Sequence, residues 1–228
     1  QWTKILGRFD SDSVSDLTTG LDGSIYIAGS TYADLNGVIN ANEWGGIIDD
    51  KDAFISKYNV NGEKLWTKLL GSLDDDYAYA LTTGINGSIY IFGSTDGDLD
   101  GQTNSGSSDS FISKYNVDGE KQWTKLLGSS NYGSASLTTG SDGSIYIFGS
   151  TDGDLDGQTN NGNFDAFISK YNVDGEKQWT KLLGSANYDY GNALTTGLDG
   201  SIYIAGYTFG DLDGQTNSGE KDSFISKY

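Results

Sequence analysis

The chain has 228 residues and contains no proline, cysteine, methionine or histidine. Without cysteine it has no disulfide scaffold and no thiolate metal site. Without histidine it lacks the most common general base of enzymes, which argues against catalysis. No apolar run of about 18 residues and no signal-peptide pattern is present, so no segment is predicted to span a membrane. Because translation starts with methionine, we expect this sequence to be a processed or excised piece.

Positive charge is scarce as well. Lysine and arginine total 14 against 32 aspartate and glutamate residues, which gives a net charge of −18. Such an acidic surface repels nucleic-acid phosphates and anionic lipids, so we expect neither nucleic acid nor a membrane as a partner. The same self-repulsion opposes a compact fold unless it is neutralised, and bound divalent cations are the obvious means.

The dominant feature of the sequence is an internal repeat. Four segment types each occur four times: Leu-Thr-Thr-Gly from 17, 81, 137 and 194, Gly-Ser-Ile-Tyr-Ile from 23, 87, 143 and 200, Phe-Ile-Ser-Lys-Tyr from 54, 111, 167 and 224, and Trp-Thr-Lys from 2, 66, 123 and 179. β-Branched and aromatic residues fill these segments, which is typical of strands covered on both faces. Asn-Gly and Asp-Gly pairs between them indicate hairpin turns.

We call the four segments strands a, b, c and d in that order; each set predicts a four-stranded antiparallel meander, the size of a β-propeller blade. The chain opens with a lone strand d at 1–6 and closes with a lone strand c at 224–228. Pairing these ends would remove two exposed edges. The sequence therefore predicts an all-β, single-domain propeller of four blades (about 14–71, 78–128, 135–184, and 191–228 with 1–7), the last blade closed by the N-terminal strand d.

The amino-acid sequence of the repeats resembles that of a known family. Asp-Gly-Ser-Ile-Tyr-Ile-Phe-Gly-Ser-Thr, then Asp-Gly-Asp-Leu-Asp-Gly and Phe-Ile-Ser-Lys-Tyr-Asn, are similar to the bacterial SBBP-type β-propeller repeat along essentially the whole chain. The resemblance implies a secreted or cell-surface bacterial protein with no assigned activity.

An Asp-rich loop follows strand b. In the second and third repeats it places oxygen-bearing side chains at loop positions 1, 3, 5 and 9 and glycine at position 6. Position 7 offers a backbone carbonyl, and a further aspartate precedes strand c. This spacing resembles EF-hand and integrin-type calcium loops, in which alternate side chains converge on a Ca²⁺ ion. The sequence thus predicts two calcium sites: Asp96, Asp98, Asp100, Gln102, Asn104 and Asp109, and Asp152, Asp154, Asp156, Gln158, Asn160 and Asp165.

The other two copies are less complete, since Phe209 and Tyr32 occupy position 1. We expect weaker calcium binding there, because fewer carboxylates remain. The alternative explanation is that Asp, Asn and Gly in these loops only form turns. The candidate ligands of these copies are Asp211, Asp213, Gln215, Asn217 and Asp222 in the fourth repeat, and Asp34, Asn36, Asn40 and Asp52 in the first.

Two further features concern contacts. The tryptophan of each strand d recurs at one position per blade, which indicates packing between neighbouring blades. The first repeat also carries a seven-residue insertion in its b–c loop, with Trp44, Ile47 and Ile48 nearby. These apolar residues either pack locally or bind a partner, and in a meander they share a face with the predicted calcium loops.

The sequence favours a non-catalytic, calcium-binding propeller that serves as a structural or adhesive module of an extracellular or cell-surface bacterial protein. Two alternatives remain open. One is a carbohydrate-binding propeller, with a protein or glycan ligand on the b–c loop face. The other is a subunit that assembles into a fibre or layer through its terminal strand edges.

Overall fold

The structure is a computed structural model that describes residues 1–7, 11–32, 50–128 and 135–228. All regular elements in this part of the chain are β-strands, and the chain divides into two compact units, Gln1–Ser129 and Ser130–Tyr228. The predicted all-β class with propeller blades is confirmed. Each sheet is an antiparallel meander whose strands pair in chain order.

The first unit holds two four-stranded sheets. The strands of the first are β1 (Asp12–Thr19), β2 (Ile25–Thr31), β3 (Asp52–Tyr58) and β4 (Lys64–Leu70). Those of the second are β5 (Asp76–Thr83), β6 (Ile89–Thr95), β7 (Asp109–Tyr115) and β8 (Lys121–Leu126). The buried side chains of both sheets form one core, centred on residues such as Tyr26, Ile55, Ile91 and Phe111.

The second unit holds one four-stranded and one three-stranded sheet. The former contains β9 (Ser136–Thr139), β10 (Ile145–Thr151), β11 (Asp165–Tyr171) and β12 (Lys177–Leu183); the latter contains β13 (Asp189–Thr196), β14 (Ile202–Thr208) and β15 (Asp222–Lys227). Its core includes Phe148, Ile168, Ile202 and Ile204.

The central strands of the first three blades are largely buried on both faces, as the segments rich in Ile, Tyr and Phe predict. Every residue of β3 and β10 is buried. By contrast, β15 alternates between half-buried and exposed residues, and the side chain of Ile225 is 74% exposed. Strand β15 pairs with β14, and residues 1–7 have no strand assignment. Closure of the fourth blade by the N-terminal segment therefore stays a prediction.

Glycines let strands a and b approach closely. A Cβ atom at Gly93 or Gly206 would overlap the backbone carbonyl of Tyr77 or Tyr190 on the neighbouring strand. Strand a also carries a β-bulge next to this contact in the sheets of β5 and β13. This close pairing fixes the start of strand a beside the end of strand b, where the candidate site lies.

The predicted packing of the strand d tryptophans is confirmed in both units. The indole of Trp66 lies 5.8 Å from the ring of Tyr26 and donates a hydrogen bond to the carbonyl of Val117 in the next sheet. In the second unit, Trp179 stacks on Tyr228 with 6.5 Å between ring centroids.

Candidate functional site

The Asp-rich b–c loop is a small hairpin. In the second repeat the backbones of Leu99 and Gln102 form two hydrogen bonds of 3.0 Å around the turn residues Asp100 and Gly101. Both turn residues have positive φ, 52° and 73°. Aspartate tolerates this conformation better than most residues, and glycine adopts it freely. The third and fourth repeats form the same turn at Asp156–Gly157 and Asp213–Gly214.

The residues at loop positions 3 and 9 bind each other across this hairpin. The Asp98 carboxylate accepts a 2.9 Å hydrogen bond from the backbone N–H of Asn104. The Asn104 side chain in turn donates to the carbonyl of Thr95 and accepts from the N–H of Gly106. The pairs Asp154–Asn160 and Asp211–Asn217 repeat this arrangement.

Positions 5 and 7 attach the loop to strand d. Asp100 and Asp156 form ion pairs with Lys121 and Lys177 at the start of β8 and β12. The Gln102 amide donates to the carbonyl of Thr124 at 2.9 Å and accepts from the N–H of Leu126 at 3.2 Å. Gln158 makes the equivalent two hydrogen bonds to Thr180 and Leu182. The two glutamine side chains thus bond to backbone groups of strand d, the outer strand of the sheet, which has no further strand beside it in the described chain.

The aspartate that begins strand c closes the other end of the loop. Asp109 accepts hydrogen bonds from the backbone and hydroxyl of Ser105, and Asp165 accepts one from the N–H of Asn161. Asp222 binds Ser218 in the same way. Asp52, Asp109 and Asp165 are buried, whereas Asp222 is half-buried.

In the described loops, the Asp and Asn side chains therefore form hydrogen bonds that hold the turns, which is the alternative explanation to calcium binding. Within residues 1–7, 11–32, 50–128 and 135–228, no group of three or more acidic side chains is close enough to hold a metal ion. Each loop nevertheless carries several side-chain oxygen atoms within one short hairpin. Calcium binding by these loops therefore stays a prediction. Several predicted residues lie outside the described part of the chain: Asp34, Asn36, Asn40, Trp44, Ile47 and Ile48.

At position 1, the repeats differ in a way that the sequence analysis treated only as loss of a ligand. Phe209 packs edge-on against Tyr188 and Tyr207, at 6.2 and 5.9 Å between ring centroids. Together with Tyr190 and Phe164 these rings form a five-membered group that we call the aromatic cluster. The ammonium group of Lys221 lies 4.6 Å from the Tyr207 ring centroid.

The first repeat has a similar arrangement. The Lys51 ammonium lies 4.7 Å from the Tyr32 ring centroid and 4.8 Å from that of Tyr77. Lys51 and Lys221 occupy the same repeat position, directly before strand c, where the second and third repeats have Ser108 and Phe164. An aromatic residue at position 1 thus occurs together with a lysine before strand c, a sequence signal that could have revealed the cluster.

Sequence reasoning also missed the aspartate that begins strand a. Asp76 and Asp189 are fully buried, and each accepts two hydrogen bonds from a single serine, Ser72 or Ser185, at 2.6–2.9 Å. Burial raises the pKa of Asp76 to about 6. A signal was present: in three repeats an aspartate stands five positions before Leu-Thr-Thr-Gly, at Asp12, Asp76 and Asp189.

The four meander sheets and their repeated loops define a β-propeller repeat protein. The chain carries SBBP repeats: residues 65–100 and 178–213 match the family model described as SBBP, a beta-propeller repeat, which confirms the resemblance.

A curated relative is the "Regulatory protein FlaEY" of Caulobacter vibrioides, which is 30% identical over 210 residues. That match covers 85% of this chain but 22% of FlaEY, so the chain spans about a fifth of that relative's length.

One solved structure agrees at the level of the fold, and a second shows only a weaker likeness. A protein of unknown function from Dyadobacter fermentans has a TM-score of 0.50 at 13% identity, over 86% of this chain and 56% of that one. An ulvan lyase, a polysaccharide lyase, has a TM-score of 0.48 at 14% identity, over 93% of this chain and 54% of the lyase. Identities this low carry no information on activity.

No helix long and apolar enough to cross a membrane occurs in the described part of the chain.

Proposed function

We propose that this chain is a non-catalytic β-propeller module with a structural or adhesive role in a longer extracellular or cell-surface bacterial protein. The observation that carries the proposal is the repetition of the polar loops. Asp98, Asp154 and Asp211 make the same hydrogen bond in three different blades. A residue that performs the same job in every blade supports architecture, whereas an active site needs one unique constellation.

Calcium is part of this proposal, because the chain carries a net charge of −18 and its loops concentrate carboxylates. A loop that already forms its hairpin through Asx-type hydrogen bonds is preorganised, so calcium would bind a backbone that is already folded, in competition with the bonds that Asp98 and Asp100 now make. Extracellular calcium modules bind in the range of about 10⁻⁴ to 10⁻³ M, which suits loops with few free carboxylates.

The test for a non-catalytic module is a comparison of binding with turnover. The purified chain would be incubated with bacterial surface polysaccharides and proteins, with adhesion measured by pull-down and products by mass spectrometry. Retention on an insoluble surface polymer without any released product supports the proposal. Release of product that scales with chain concentration would establish an enzyme instead.

Carbohydrate binding is the second candidate function, and the aromatic cluster favours it. Sugars bind to proteins by placing their C–H faces on aromatic rings while neighbouring polar groups bind the hydroxyls. Tyr188 in the cluster is 41% exposed. Beside it, Asn187, Asp211 and Asn217 line a shallow open cavity that also includes Phe209. The Lys221 ammonium adds a positive charge, which favours an acidic sugar in this otherwise acidic chain.

A glycan array with matched variants tests this second candidate. Phe209→Asp and Lys221→Ser introduce the residues that the second repeat has at these positions, Asp96 and Ser108, so the blade retains a natural sequence. Binding of uronic-acid glycans that both variants abolish supports a carbohydrate site at the cluster. Equal binding by wild type and both variants, or no glycan binding at all, contradicts it.

A further inference from the structure

Where one blade meets the next, two buried carboxylates face the same short segment. In the second unit, Asp165 begins strand c of one sheet and Asp189 begins strand a of the next. Both side chains are 0% exposed. The segment Gly184–Ser185 lies between them: a Cβ atom at Gly184 would overlap the Asp165 carboxylate, and the N–H of Ser185 donates to Asp189 at 2.6 Å.

Each carboxylate uses only one of its two oxygens for hydrogen bonds. The Oδ2 atom of Asp189 accepts from the Ser185 N–H and hydroxyl, and the Oδ2 atom of Asp165 accepts from Asn161. Within the described residues, the Oδ1 atoms of both aspartates are buried and have no hydrogen-bond partner. A buried oxygen of this kind is costly unless something pairs with it.

Within the described ranges, no lysine or arginine forms an ion pair with either carboxylate, Asp165 or Asp189. Burial and the charge of Asp189 raise the pKa of Asp165, so the two carboxylates repel each other. The pair is therefore an anionic, oxygen-lined position with two unused acceptor atoms.

The first unit also places two strand-end carboxylates, Asp52 and Asp76, against one glycine-serine segment. A Cβ atom at Gly71 would overlap the Asp52 carboxylate, and Ser72 donates from its N–H and hydroxyl to Oδ2 of Asp76 at 2.6 and 2.9 Å. The Oδ1 atom of Asp76 is again buried without a hydrogen-bond partner in the described chain. Two such pairs, in separate units, indicate a feature of the repeat.

We propose that each of these interblade carboxylate pairs, Asp165 with Asp189 and Asp52 with Asp76, binds a hard, oxygen-coordinating cation of the Ca²⁺ class. The ion sits between consecutive blades, where the Oδ1 atoms of Asp76, Asp165 and Asp189 coordinate it and its charge offsets the repulsion between Asp165 and Asp189. Backbone carbonyls or water complete its shell, as is usual for Ca²⁺. This site shares Asp52 and Asp165 with the predicted loop sites, but it takes its second carboxylate, Asp76 or Asp189, from strand a of the next blade and needs no ligand from the hairpin itself.

The experiment measures the thermal melting of the full chain in Ca²⁺ and in EDTA, for the wild type and two double variants. Asp76→Asn with Asp189→Asn removes one carboxylate from each pair. Asp98→Asn with Asp154→Asn alters two hairpin loops and leaves the pairs intact. We expect the wild type and the loop variant to gain Tm with Ca²⁺, whereas the pair variant loses the gain and its calcium affinity falls at least tenfold.

The outcomes separate the two kinds of site. If the pair variant keeps the calcium response and the loop variant loses it, the calcium part of the proposed function holds and the interblade site is wrong. If Ca²⁺ changes no melting curve, both fail. The melting curve of the pair variant in EDTA is the folding control, since removal of one like charge is expected to leave its Tm equal to or above that of the wild type. A lower Tm in EDTA would mean that the carboxylates are structural hydrogen-bond acceptors, which also overturns the proposal.

Discussion

The indole of Trp66 on β4 donates a 3.3 Å hydrogen bond to the carbonyl of Val117, in the turn that joins β7 to β8 of the next sheet. The ring lies on the turn glycine, because a Cβ atom at Gly119 would come within 2.9 Å of it. The same carbonyl accepts from the Lys57 ammonium at 3.1 Å. The outer strand of one blade is thus attached to the outer turn of its neighbour.

Replacing Trp66 should therefore weaken the contact between blades. Trp66→Phe loses the hydrogen bond but leaves Val117 paired with Lys57, so we expect a loss of about 1 kcal/mol in the free energy of unfolding. Trp66→Ala also loses the packing against Tyr26 and should cost about 3 kcal/mol. Chemical denaturation followed by fluorescence of the other tryptophans measures both. Leu198→Ala, at a fully exposed site, is the control and should change stability by less than about 0.5 kcal/mol.

The hairpin of the b–c loop depends on positive φ at its glycine, and the third repeat offers a matched pair to test this. Neither Gly153 nor Gly157 has an atom within 4 Å of a Cβ position, but only Gly157 has a positive φ, 76°. Gly157→Ala should cost about 1–2 kcal/mol of unfolding free energy, since alanine is strained there. Gly153→Ala should be nearly neutral. Equal effects of the two substitutions would show that the turn conformation does not hold the loop.

The ion pair between Lys57 and Asp22 provides a pH-dependent prediction. Burial disfavours ionisation of Asp22, but hydrogen bonds from Ser24 and Lys57 outweigh it and hold the pKa of the carboxyl at about 2, below the ordinary 3.8. Because the folded pKa is lowered, the stabilisation is present above about pH 4 and is lost as the pH falls towards 2.

Asp22→Asn isolates this effect, because the second repeat has Asn86 at the equivalent position, where it accepts the same bond from Ser88. We expect the variant to melt below the wild type at pH 6, and the two curves of Tm against pH to approach each other below about pH 4 and to converge near pH 2. Asp174→Asn, at an exposed turn residue outside the described ion pairs, is the control and should run parallel to the wild type. A difference between Asp22→Asn and wild type that stays constant from pH 6 to pH 2 would contradict the assignment.

A fourth prediction concerns the outer edge of the last strand, β15. Strand β15 lies at the edge of its sheet, with the Ile225 side chain 74% exposed. If the N-terminal segment or a second copy pairs with this edge, Ile225→Lys should disturb it, since charge on an edge strand opposes pairing. Light scattering distinguishes the two cases: a lower Tm with unchanged mass indicates closure within the chain, and loss of larger species indicates assembly. No change in either would leave β15 as a free edge.

The strands could be predicted because the repeat shows the same pattern four times. Ile89 and Tyr90, for example, begin a segment whose two buried faces and flanking Asn-Gly turn leave little choice of structure. The hairpin loops were predicted in position but with two explanations, because Asp98 and Asn104 have the same spacing whether they bind each other or a cation. The spacing of residues along the chain cannot distinguish hydrogen bonding within the loop from cation binding. The hydrogen bond that Asp98 accepts from Asn104 shows that the first occurs.

The interblade features were less accessible to sequence reasoning. Asp165 and Asp189 belong to different repeats, and only the packing of consecutive blades brings both to Gly184–Ser185. Phe209 was treated as a lost ligand: Tyr207 lies close to it in the chain, but Tyr188, before β13, meets it only in the folded sheet. Contacts between repeats depend on how sheets stack, which a strand-by-strand analysis does not supply.

The central claim is that this acidic propeller module is stabilised by bound calcium, and thermal melting of the wild-type chain in about 10 mM Ca²⁺ and in excess EDTA tests it most directly. At concentrations of about 10 to 100 times the dissociation constant, a ligand of the folded state adds about 1.4–2.7 kcal/mol. We therefore expect Tm to rise by about 3–8 °C in calcium, with light scattering showing a monomer in both conditions. Superimposed melting curves would contradict the claim and leave the aspartates of this chain as turn and strand-end residues only.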